Sequence, residues 1–425
     1  MQKDPFLNLA PAVRTSFFVK AAEGTTLPPQ AIEKDWWVTK VLQAIRSLDY
    51  RDSVQFKGGT SLSKGWGLIS RFSEDVDLSI DRVFLGFPGE LSKSQVSDKL
   101  RRRAKEFTLG QFYDELPSAL ESVGIPREAY RLSNNDNGMS TQDPVQIYID
   151  YDSAFPPDGY ILPRVMLEVS GRSYEEAVSE TSVRSLMDDR LPGNAFSSSP
   201  FIVVTVEPER TFIEKVCLLH EEFNKSHGDI RSYRMSRHLY DLYMMCNNEK
   251  HINEKALANE ELFRGIVMHR FIYNRIDGVD YNTETPGHFN ILPPDSVVEE
   301  WRKDYDEMMR GMIYSKDKPS FDEILARIRQ LNTELNDMKW KMVPVFSPGA
   351  KPYLKEEEYY NFGAVQTAQE LKRLPGIKSR TVWRLSHSIS ECGGRSFLGI
   401  CRHFVFFACH CIGTSFMWNE LKTQL

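Results

Sequence analysis

Polar and apolar residues alternate in several short segments of the first half of the chain, and strict alternation predicts β-strands. The clearest case covers residues 75–80, where Val76, Leu78 and Ile80 share one face and acidic or hydroxyl side chains occupy the other. Further strands are predicted over residues 53–57, 145–151 and 164–170. On the last of these strands, the alternation places Glu168 on the face opposite to the apolar residues.

Apolar residues spaced three or four positions apart predict helices in the rest of the chain. Residues 28–47 begin with two prolines and carry an apolar stripe through Trp37, Val41 and Ile45, so we expect a helix whose tryptophans face the core. Other helices are predicted from residue 58 to about 69, over a charged stretch at 94–119, and repeatedly from about 207 to 340.

Together these elements predict an α+β fold, in which a small mixed sheet flanked by helices is followed by a helical domain. We expect residues 1–205 to form the α/β domain and residues 206–340 to form the helical domain. Residues 341–425 show weak periodicity and are expected to be an accessory tail. An active site is expected in the cleft between the two domains.

Composition narrows the class of protein. The 425 residues are 41 % apolar and 26 % charged, as in an ordinary soluble protein. A net charge of -6 argues against coating nucleic acid with the whole surface, but it leaves room for one basic groove. No secretory signal or membrane-spanning run is recognisable, and only two of six cysteines precede residue 392. We therefore expect a cytoplasmic protein that does not contact membranes.

A pair of glycines lies between the first predicted strand and the following helix. Gly58 and Gly59 would let the backbone approach phosphates closely, and the start of a helix points free N–H groups at them. The hydroxyls of Thr60 and Ser61 add hydrogen-bond donors. This arrangement predicts a phosphate-binding loop.

Two carboxylates follow that loop on one strand. Asp75 and Asp77 are two positions apart, so both project from the same face, where they could hold a pair of Mg²⁺ (or Mn²⁺) ions. Glu168 would supply a third carboxylate if its strand lies beside theirs. Such a site would catalyse metal-dependent transfer of a nucleoside monophosphate from a nucleoside triphosphate. The alternative is a glycine turn followed by solvent-facing acids, and a second Asp-x-Asp at residues 150–152 has no preceding phosphate loop.

The loop and the acidic strand closely resemble a known signature. FKGGTSLSK at residues 56–64 and RFSEDVDL at 71–78 are similar to the motifs of AbiEii-type nucleotidyltransferase toxins, which belong to the DNA polymerase β-like superfamily. EPERTFIEK at 207–215 with Leu219 and His220, and RHLYDL at 237–242, resemble the family's later motifs, and Glu-Lys-Asp at 33–35 also fits. The resemblance covers about residues 28–250.

The resemblance implies roles for individual residues. It implies phosphate binding by the Gly-Gly-Thr-Ser loop, metal binding by Asp75 and Asp77, a grip on the triphosphate by Lys215, and completion of the site by Asp241. Ser73 is also matched and is expected to bind the nucleotide or to brace the turn. The alternatives are a solvated Lys215 and an ion pair within one helix between Arg237 and Asp241.

The resemblance further implies a bacterial toxin of an abortive-infection system, paired with an antitoxin and active in antiviral defence. The acceptor is expected to be RNA, with tRNA 3′ ends as the first candidate. A basic run at residues 99–105 offers a place for RNA phosphates, although it could equally be a solvated helix face. The rival hypotheses are a nucleotidyltransferase that modifies a protein or small molecule, and a non-catalytic nucleotide- or RNA-binding regulator.

The tail departs from the family pattern. It holds four of the six cysteines, and its 11 basic residues outnumber its 6 acidic ones. Residues 374–377 resemble a helix-hairpin-helix DNA-binding turn, but Lys378 stands where that motif has glycine. The cysteines and histidines at 392–411 could bind zinc, although none shows the Cys-x-x-Cys spacing of a structural site. Both remain alternatives to a tail without these functions.

Overall fold

The fold is seen in a computed structural model of the chain. It describes residues 3–89, 91–92, 94–156, 161–171, 177–273, 275–315, 318–347 and 353–356. The helix-hairpin-helix and zinc hypotheses for the tail therefore lie outside the described residues.

Seven strands form one mixed sheet. In chain order they are β1 (Val54–Lys57), β2 (Asp75–Ile80), β3 (Tyr130–Asn134), β4 (Val145–Tyr151), β5 (Arg164–Ser170), β6 (Val178–Val183) and β7 (Phe201–Val206). Their order across the sheet is β3-β4-β5-β2-β1-β7-β6. β2 runs parallel to β5 and antiparallel to β1, whereas β1 runs parallel to β7. This places the acidic strand β2 at the centre of the sheet.

Helices flank the sheet and continue after it. Those of the first half are α1 (Pro11–Ala22), α2 (Pro29–Arg46), α3 (Gly58–Lys64), α4 (Arg101–Phe107), α5 (Tyr113–Ser122) and α6 (Leu186–Arg190). The later helices are α7 (Pro208–Phe223), α8 (Ser236–Cys246), α9 (Ile252–Ala258), α10 (Glu260–Tyr273), α11 (Val298–Gly311) and α12 (Phe321–Asp337). A small hairpin follows, formed by β8 (Met342–Val345) and β9 (Tyr353–Glu356). The predicted α+β class, a mixed sheet and then helices, is confirmed.

The helix predicted over residues 28–47 is α2, and it packs against β5 and β7. Trp37 is buried and stacks on Tyr151, with ring centroids 4.8 Å apart, so the expectation of a core-facing tryptophan is correct. Polar residues of α2 are buried as well. Asp35 lies 2.5 Å from the Lys64 ammonium and accepts a hydrogen bond of 2.6 Å from the Leu186 N–H, which ties α2 to α3 and α6.

The helical part has its own apolar centre. α7 contacts α8, α9 and α10, while α8 also packs on α11 and α12. Fully buried aromatic side chains fill the space between these helices: Phe212, Phe263, Tyr281, Trp301, Tyr305 and Trp340. Because α3 also contacts α7, residues of the helical part come close to the Gly-Gly loop and to β2.

Candidate active site

Strand pairing brings three predicted carboxylates to one region of the sheet. Glu168 on β5 lies directly beside Asp77 on β2 in the parallel register, and Asp75 lies two residues before Asp77 on the same face. The expectation that the strand of Glu168 neighbours that of the aspartates is therefore correct. On the other side of β2, Lys57 of β1 is the neighbour of Asp77 in the antiparallel register of the two strands. All three carboxylates are half-buried.

Crowding and burial shift the proton affinity of these acids. Burial, reinforced by the negative charge of Glu168, raises the pKa of Asp77 to about 7. Burial and the neighbouring Glu74 carboxylate also raise the pKa of Asp75. Raised values mean that the carboxylates repel one another and are incompletely solvated. A cation bound between them would relieve that repulsion.

This donor set has the chemistry that Mg²⁺ or Mn²⁺ prefers, since all its ligand atoms are carboxylate oxygens. Within the described residues, however, no three His, Cys, Asp or Glu side chains are already arranged around one point as metal ligands. Glu168 instead accepts a hydrogen bond of 3.4 Å from the Gln146 amide. Residue type and register therefore fit a metal, and binding would require the side chains to converge further.

The backbone of Gly58 lies directly against the Asp77 carboxylate. Its φ is +75°, and a Cβ at this position would lie 1.9 Å from the Asp77 Oδ2 atom. A Cβ on Gly59 would lie 2.9 Å from an Arg71 guanidinium nitrogen and 3.2 Å from the Ser73 hydroxyl. Both glycines are therefore required by close approach, and Gly58 also by its left-handed backbone.

The hydroxyls of the loop are directed inward. The Thr60 hydroxyl donates a short hydrogen bond to the Asp75 carbonyl, and the Ser61 hydroxyl donates to the Gly58 carbonyl at 2.8 Å. Both side chains are buried, so their hydroxyls brace β2 and the loop, and a phosphate would have to reach backbone N–H groups here. Ser73 differs: it is half-buried, and its hydroxyl makes no hydrogen bond to any residue that the structure describes.

Ser73 also lines a cavity of about 310 Å³. Arg71, Lys64, Arg184 and Tyr314 contribute to the same wall, so the cavity carries cationic groups next to the Gly-Gly loop. Lys64 is balanced by Asp35, and Arg184 lies 3.2 Å from Asp189. Asp35 and Asp189 line the same cavity, which is therefore polar, with its cationic side chains already paired with acids.

Asp241 is the centre of a buried ion-pair network. Its two oxygens accept from the Arg71 guanidinium at 2.6 and 2.8 Å, and the Lys215 ammonium lies 2.8 Å from Oδ2. Although burial alone would raise the pKa of Asp241, these two cations hold it well below its usual range. Lys215 also lies 3.4 Å from Nδ1 of His238, whose pKa is lowered by burial and by Lys215, so the ring is neutral.

The alternative considered for Arg237 and Asp241, an ion pair within one helix, does not form. Arg237 is half-buried and makes no ion pair or hydrogen bond with any described residue. Burial and the positive charges of Arg71 and Arg234 lower the pKa of its guanidinium, while Asp75 and Asp241 act in the opposite sense. Arg237 is therefore a cation near Asp75 that has no direct counter-ion among the residues that the structure describes.

Sequence reasoning assigned no role to Arg71, although it opens the matched RFSEDVDL motif. It also missed the two cations around Glu74, which lies between Ser73 and Asp75. Lys34 pairs with Glu74 at 2.8 Å, and Arg234 makes a short contact with its other oxygen. Although burial acts to raise the pKa of Glu74, these cations hold it below its ordinary value.

The basic run at residues 99–105 is largely neutralised. Arg102 pairs with Asp98 at 2.9 Å, Arg103 lies 3.9 Å from Glu106, and the buried Lys105 pairs with Asp136 at 2.5 Å. Three of its five cations thus have acidic partners, which favours the alternative of a solvated, ion-paired helix face.

None of the described helices combines the length and apolar character of a membrane span.

Comparisons with known proteins identify one family. The family model described as "Nucleotidyl transferase AbiEii toxin, Type IV TA system" matches residues 40–327, a range that includes every predicted site residue. Among solved structures, the nucleotidyltransferase toxin MenT4 from Mycobacterium tuberculosis H37Rv is similar at 16 % identity and a TM-score of 0.41, over 78 % of this chain and 91 % of that chain. No curated protein shows significant sequence similarity to this chain.

Proposed function

This chain belongs to the AbiEii family of nucleotidyltransferase toxins of type IV toxin–antitoxin systems, and we propose that its acceptor is RNA, with tRNA 3′ ends as the first candidate. In the proposed reaction the acceptor hydroxyl attacks the α-phosphorus of an NTP. A new P–O bond forms, the bond to the β-phosphate breaks, and pyrophosphate leaves. The growth arrest that follows would act in antiviral defence, opposed by an antitoxin, in the cytoplasm.

The observation that carries the catalytic proposal is the register of the three acids. Asp75, Asp77 and Glu168 would hold divalent metal, because their strands place them side by side and the pKa values of the two aspartates are raised. When bound, Mg²⁺ or Mn²⁺ would supply charge that activates the acceptor hydroxyl and stabilises the leaving pyrophosphate.

Side chains of the helical part would bind the triphosphate. Asp75, Asp77 and Glu168 together form the acidic cluster. Lys215 on α7 and Arg237 on α8 lie near it, and Arg71 contributes from the turn before β2. The Ser73 hydroxyl would donate to a phosphate oxygen beside the backbone of Gly59. We assign Asp241 a positioning role, because both of its oxygens are already bound to Arg71 and Lys215.

We further propose that residues 1–205 and 206–340 form the catalytic and helical domains. Since α3 contacts α7, the nucleotide would be held by residues from both.

The test is incubation of the full chain with each α-labelled NTP, Mg²⁺ and total RNA, followed by separation of RNA, protein and small molecules. We expect label in RNA of tRNA size, and its loss with Asp75→Ala or Asp77→Ala. Label recovered only in protein or in small molecules would overturn RNA as the acceptor. An absence of label in every fraction would favour the non-catalytic regulator.

A further inference from the structure

The turn that leads into α8 concentrates positive charge close to the acidic cluster. Residues 224–238 contain four Lys or Arg and one Asp, a local charge of +3 in a chain of net charge -6. Glu222 is shared by two of these cations, Lys225 at 2.9 Å and Arg231 at 2.6 Å. Arg237 makes no direct ion pair among the described residues. Arg234 pairs with Glu74, so the segment counted together with Glu222 and Glu74 keeps a net charge of +1.

The backbone of this segment is held by hydrogen bonds. The Met235 N–H donates to the Ser232 carbonyl at 3.0 Å, which places Tyr233 and Arg234 at the centre of a tight turn. Arg234 has a φ of +59°, a left-handed conformation that few non-glycine residues adopt. Asp304 stabilises it by accepting from the Arg234 and Ser236 N–H groups.

The same turn exposes an aromatic ring. Tyr233 is 74 % exposed, the largest exposed fraction among the large apolar and aromatic side chains in the part of the chain that the structure describes. Its hydroxyl and ring make no hydrogen bond or ring contact with described residues. A braced turn that presents an uncovered ring between cationic side chains has the features of a base-stacking platform.

The turn is also anchored at the reaction site. The Arg234 guanidinium contacts Glu74, the residue directly before Asp75. Consecutive Cα atoms are about 3.8 Å apart, so Tyr233, the neighbour of Arg234, lies one residue from that anchor. The turn is therefore tethered close enough to Asp75 that an acceptor strand with its terminal hydroxyl at the carboxylates would have the turn within reach of its neighbouring nucleotides.

We propose that Tyr233, together with the exposed Arg231, binds the single-stranded 3′ end of the RNA acceptor, with the ring stacking on a base and the Arg231 guanidinium contacting a phosphate. This proposal rests on RNA being the acceptor. Ion pairs hold most of the cations both here and in the basic run at 99–105, so the uncovered Tyr233 ring is what favours residues 231–237 for the RNA.

The experiment uses the full chain and a 5′-fluorescein single-stranded RNA oligonucleotide with a free 3′ hydroxyl. Binding is measured by anisotropy, and KM is measured separately for RNA and for NTP. The variants are Tyr233→Ala, Tyr233→Trp and Arg231→Gln. Arg329→Gln removes one exposed charge elsewhere and serves as the matched control. A double variant, Arg102→Gln with Arg103→Gln, tests the competing surface.

We expect Tyr233→Ala to weaken RNA binding roughly five- to hundredfold, as loss of one stacked base does, and to raise KM for RNA only. Tyr233→Trp should retain binding, and Arg231→Gln should lower the dependence of affinity on salt. Unchanged RNA binding in Tyr233→Ala and Arg231→Gln, while the wild-type chain still labels RNA, would overturn this surface and leave the acceptor assignment intact. Weakened binding in the double variant alone would transfer the surface to the 99–105 run. A wild-type chain that labels no RNA would overturn both proposals.

Discussion

Asp241 shows at the scale of single residues how a buried charge is stabilised by two cations. It is fully buried, and Arg71 and Lys215 neutralise it through three contacts of 2.6 to 2.8 Å. Removing its charge leaves two buried cations without a counter-ion. We expect Asp241→Asn to lower the free energy of unfolding by about 3–5 kcal/mol, the usual effect of breaking a buried pair. Urea denaturation measures this loss.

The exposed pair of Asp98 with Arg102 provides the control. Both side chains are in contact with solvent, which screens their attraction, so Asp98→Asn should change the free energy of unfolding far less than Asp241→Asn. Equal losses in the two variants would contradict the role given to Asp241.

Lys215 should behave differently from Asp241. In Lys215→Ala, Arg71 still neutralises Asp241, so the fold is expected to persist. Transfer should slow by roughly 10²-fold, as when one contact to the transition state is removed. Steady-state kinetics beside a melting curve separate the two effects. Unchanged kinetics would exclude Lys215 from the triphosphate site.

Asp77 carries a prediction about both stability and activity. Since Glu168 and Asp75 repel it, Asp77→Asn should raise the melting temperature in the presence of a metal chelator. The same change should abolish transfer and any rise in melting temperature on adding Mg²⁺. Asp152→Asn, at an exposed position in the second Asp-x-Asp, should alter none of these measurements. A Mg²⁺-dependent rise that survives in Asp77→Asn would place the metal elsewhere.

The sequence predicted the strand positions of Asp75, Asp77 and Glu168 because alternation alone decides which face a strand residue occupies. It could not predict the Arg71–Asp241 pair, whose members are 170 positions apart. Spacing offered only Arg237, four residues before Asp241 on α8, as an alternative partner. The guanidinium of Arg71 instead binds both carboxylate oxygens in a bidentate geometry, and only tertiary structure brings it there.

At the scale of elements, the β1–α3 connection depends on glycine. Gly58→Ala would place a methyl group on the Asp77 carboxylate and strain a φ of +75°. We expect a loss of stability of about 1 kcal/mol or more, together with loss of transfer. Gly67→Ala has a similar φ of +64° but open space around it, so it should lose stability while keeping transfer. Equal activity in the two variants would show that the approach to Asp77 is unimportant.

His220 ties α7 to the segment before α11 and gives stability a pH dependence. Nδ1 accepts from the Asn290 N–H at 3.0 Å, so the other nitrogen carries the proton and donates to Thr283 at 2.9 Å. Burial lowers the pKa of His220 to about 4. Because the unfolded chain takes up a proton near pH 6.5 and the folded one does not, stability present above pH 6.5 is lost as the pH falls towards 4.

We expect the free energy of unfolding to fall by on the order of 3 kcal/mol over this pH range. In His220→Gln this fall should be much smaller, because glutamine does not titrate. Denaturation at pH 7, about 5.5 and about 4.5 provides the measurement. His251→Gln, at an exposed position, should leave the slope of the free energy of unfolding against pH nearly unchanged. A slope that stays the same in His220→Gln would assign the acid sensitivity to other groups.

Strands with weak alternation were not predicted from sequence. β7 reads Phe-Ile-Val-Val-Thr-Val, a nearly continuous apolar run, because it lies inside the sheet between β1 and β6. β6 is an edge strand whose polar residues include Thr181, and the Thr181 hydroxyl lies 2.6 Å from that of Thr205 on β7. β6 and β7 are strands because each pairs with a neighbouring strand, and the sequence of one segment alone does not reveal that pairing.

At the scale of the whole molecule, the charge distribution matters more than the net charge. A chain of net charge -6 repels a polyanion at long range, so an acceptor RNA must be bound through a local positive surface. We propose that residues 231–237 provide it, in a segment that keeps a net charge of +1 when its partners Glu222 and Glu74 are counted. This arrangement explains how an acidic chain could act on RNA without binding nucleic acid over its whole surface.

Residues 341–425 were expected to be an accessory tail, and the packing shows where the chain can be shortened. Trp340 is buried against Phe263, with ring centroids 5.3 Å apart. Residues after it also join the core. Phe346 is 5 % exposed and lies 4.6 Å from the ring of Phe271, and its N–H donates to Asn282 at 2.9 Å. A cut at 340 would remove these contacts.

We therefore expect a chain ending at Glu356 to melt as the full chain does and to retain nucleotidyl transfer, because every predicted site residue precedes residue 242. In a chain ending at Trp340, the free energy of unfolding should fall by about 3 kcal/mol or more. The reason is that the buried Phe346 side chain is lost and Phe271 becomes uncovered. The full chain with Phe346→Ala separates this packing loss from the effect of shortening, and should be destabilised similarly. Thermal melting and α-labelled NTP incorporation for the four proteins decide the matter. If the chain ending at Glu356 folds but cannot transfer, residues 357–425 contribute to catalysis, and the accessory role proposed for them is wrong.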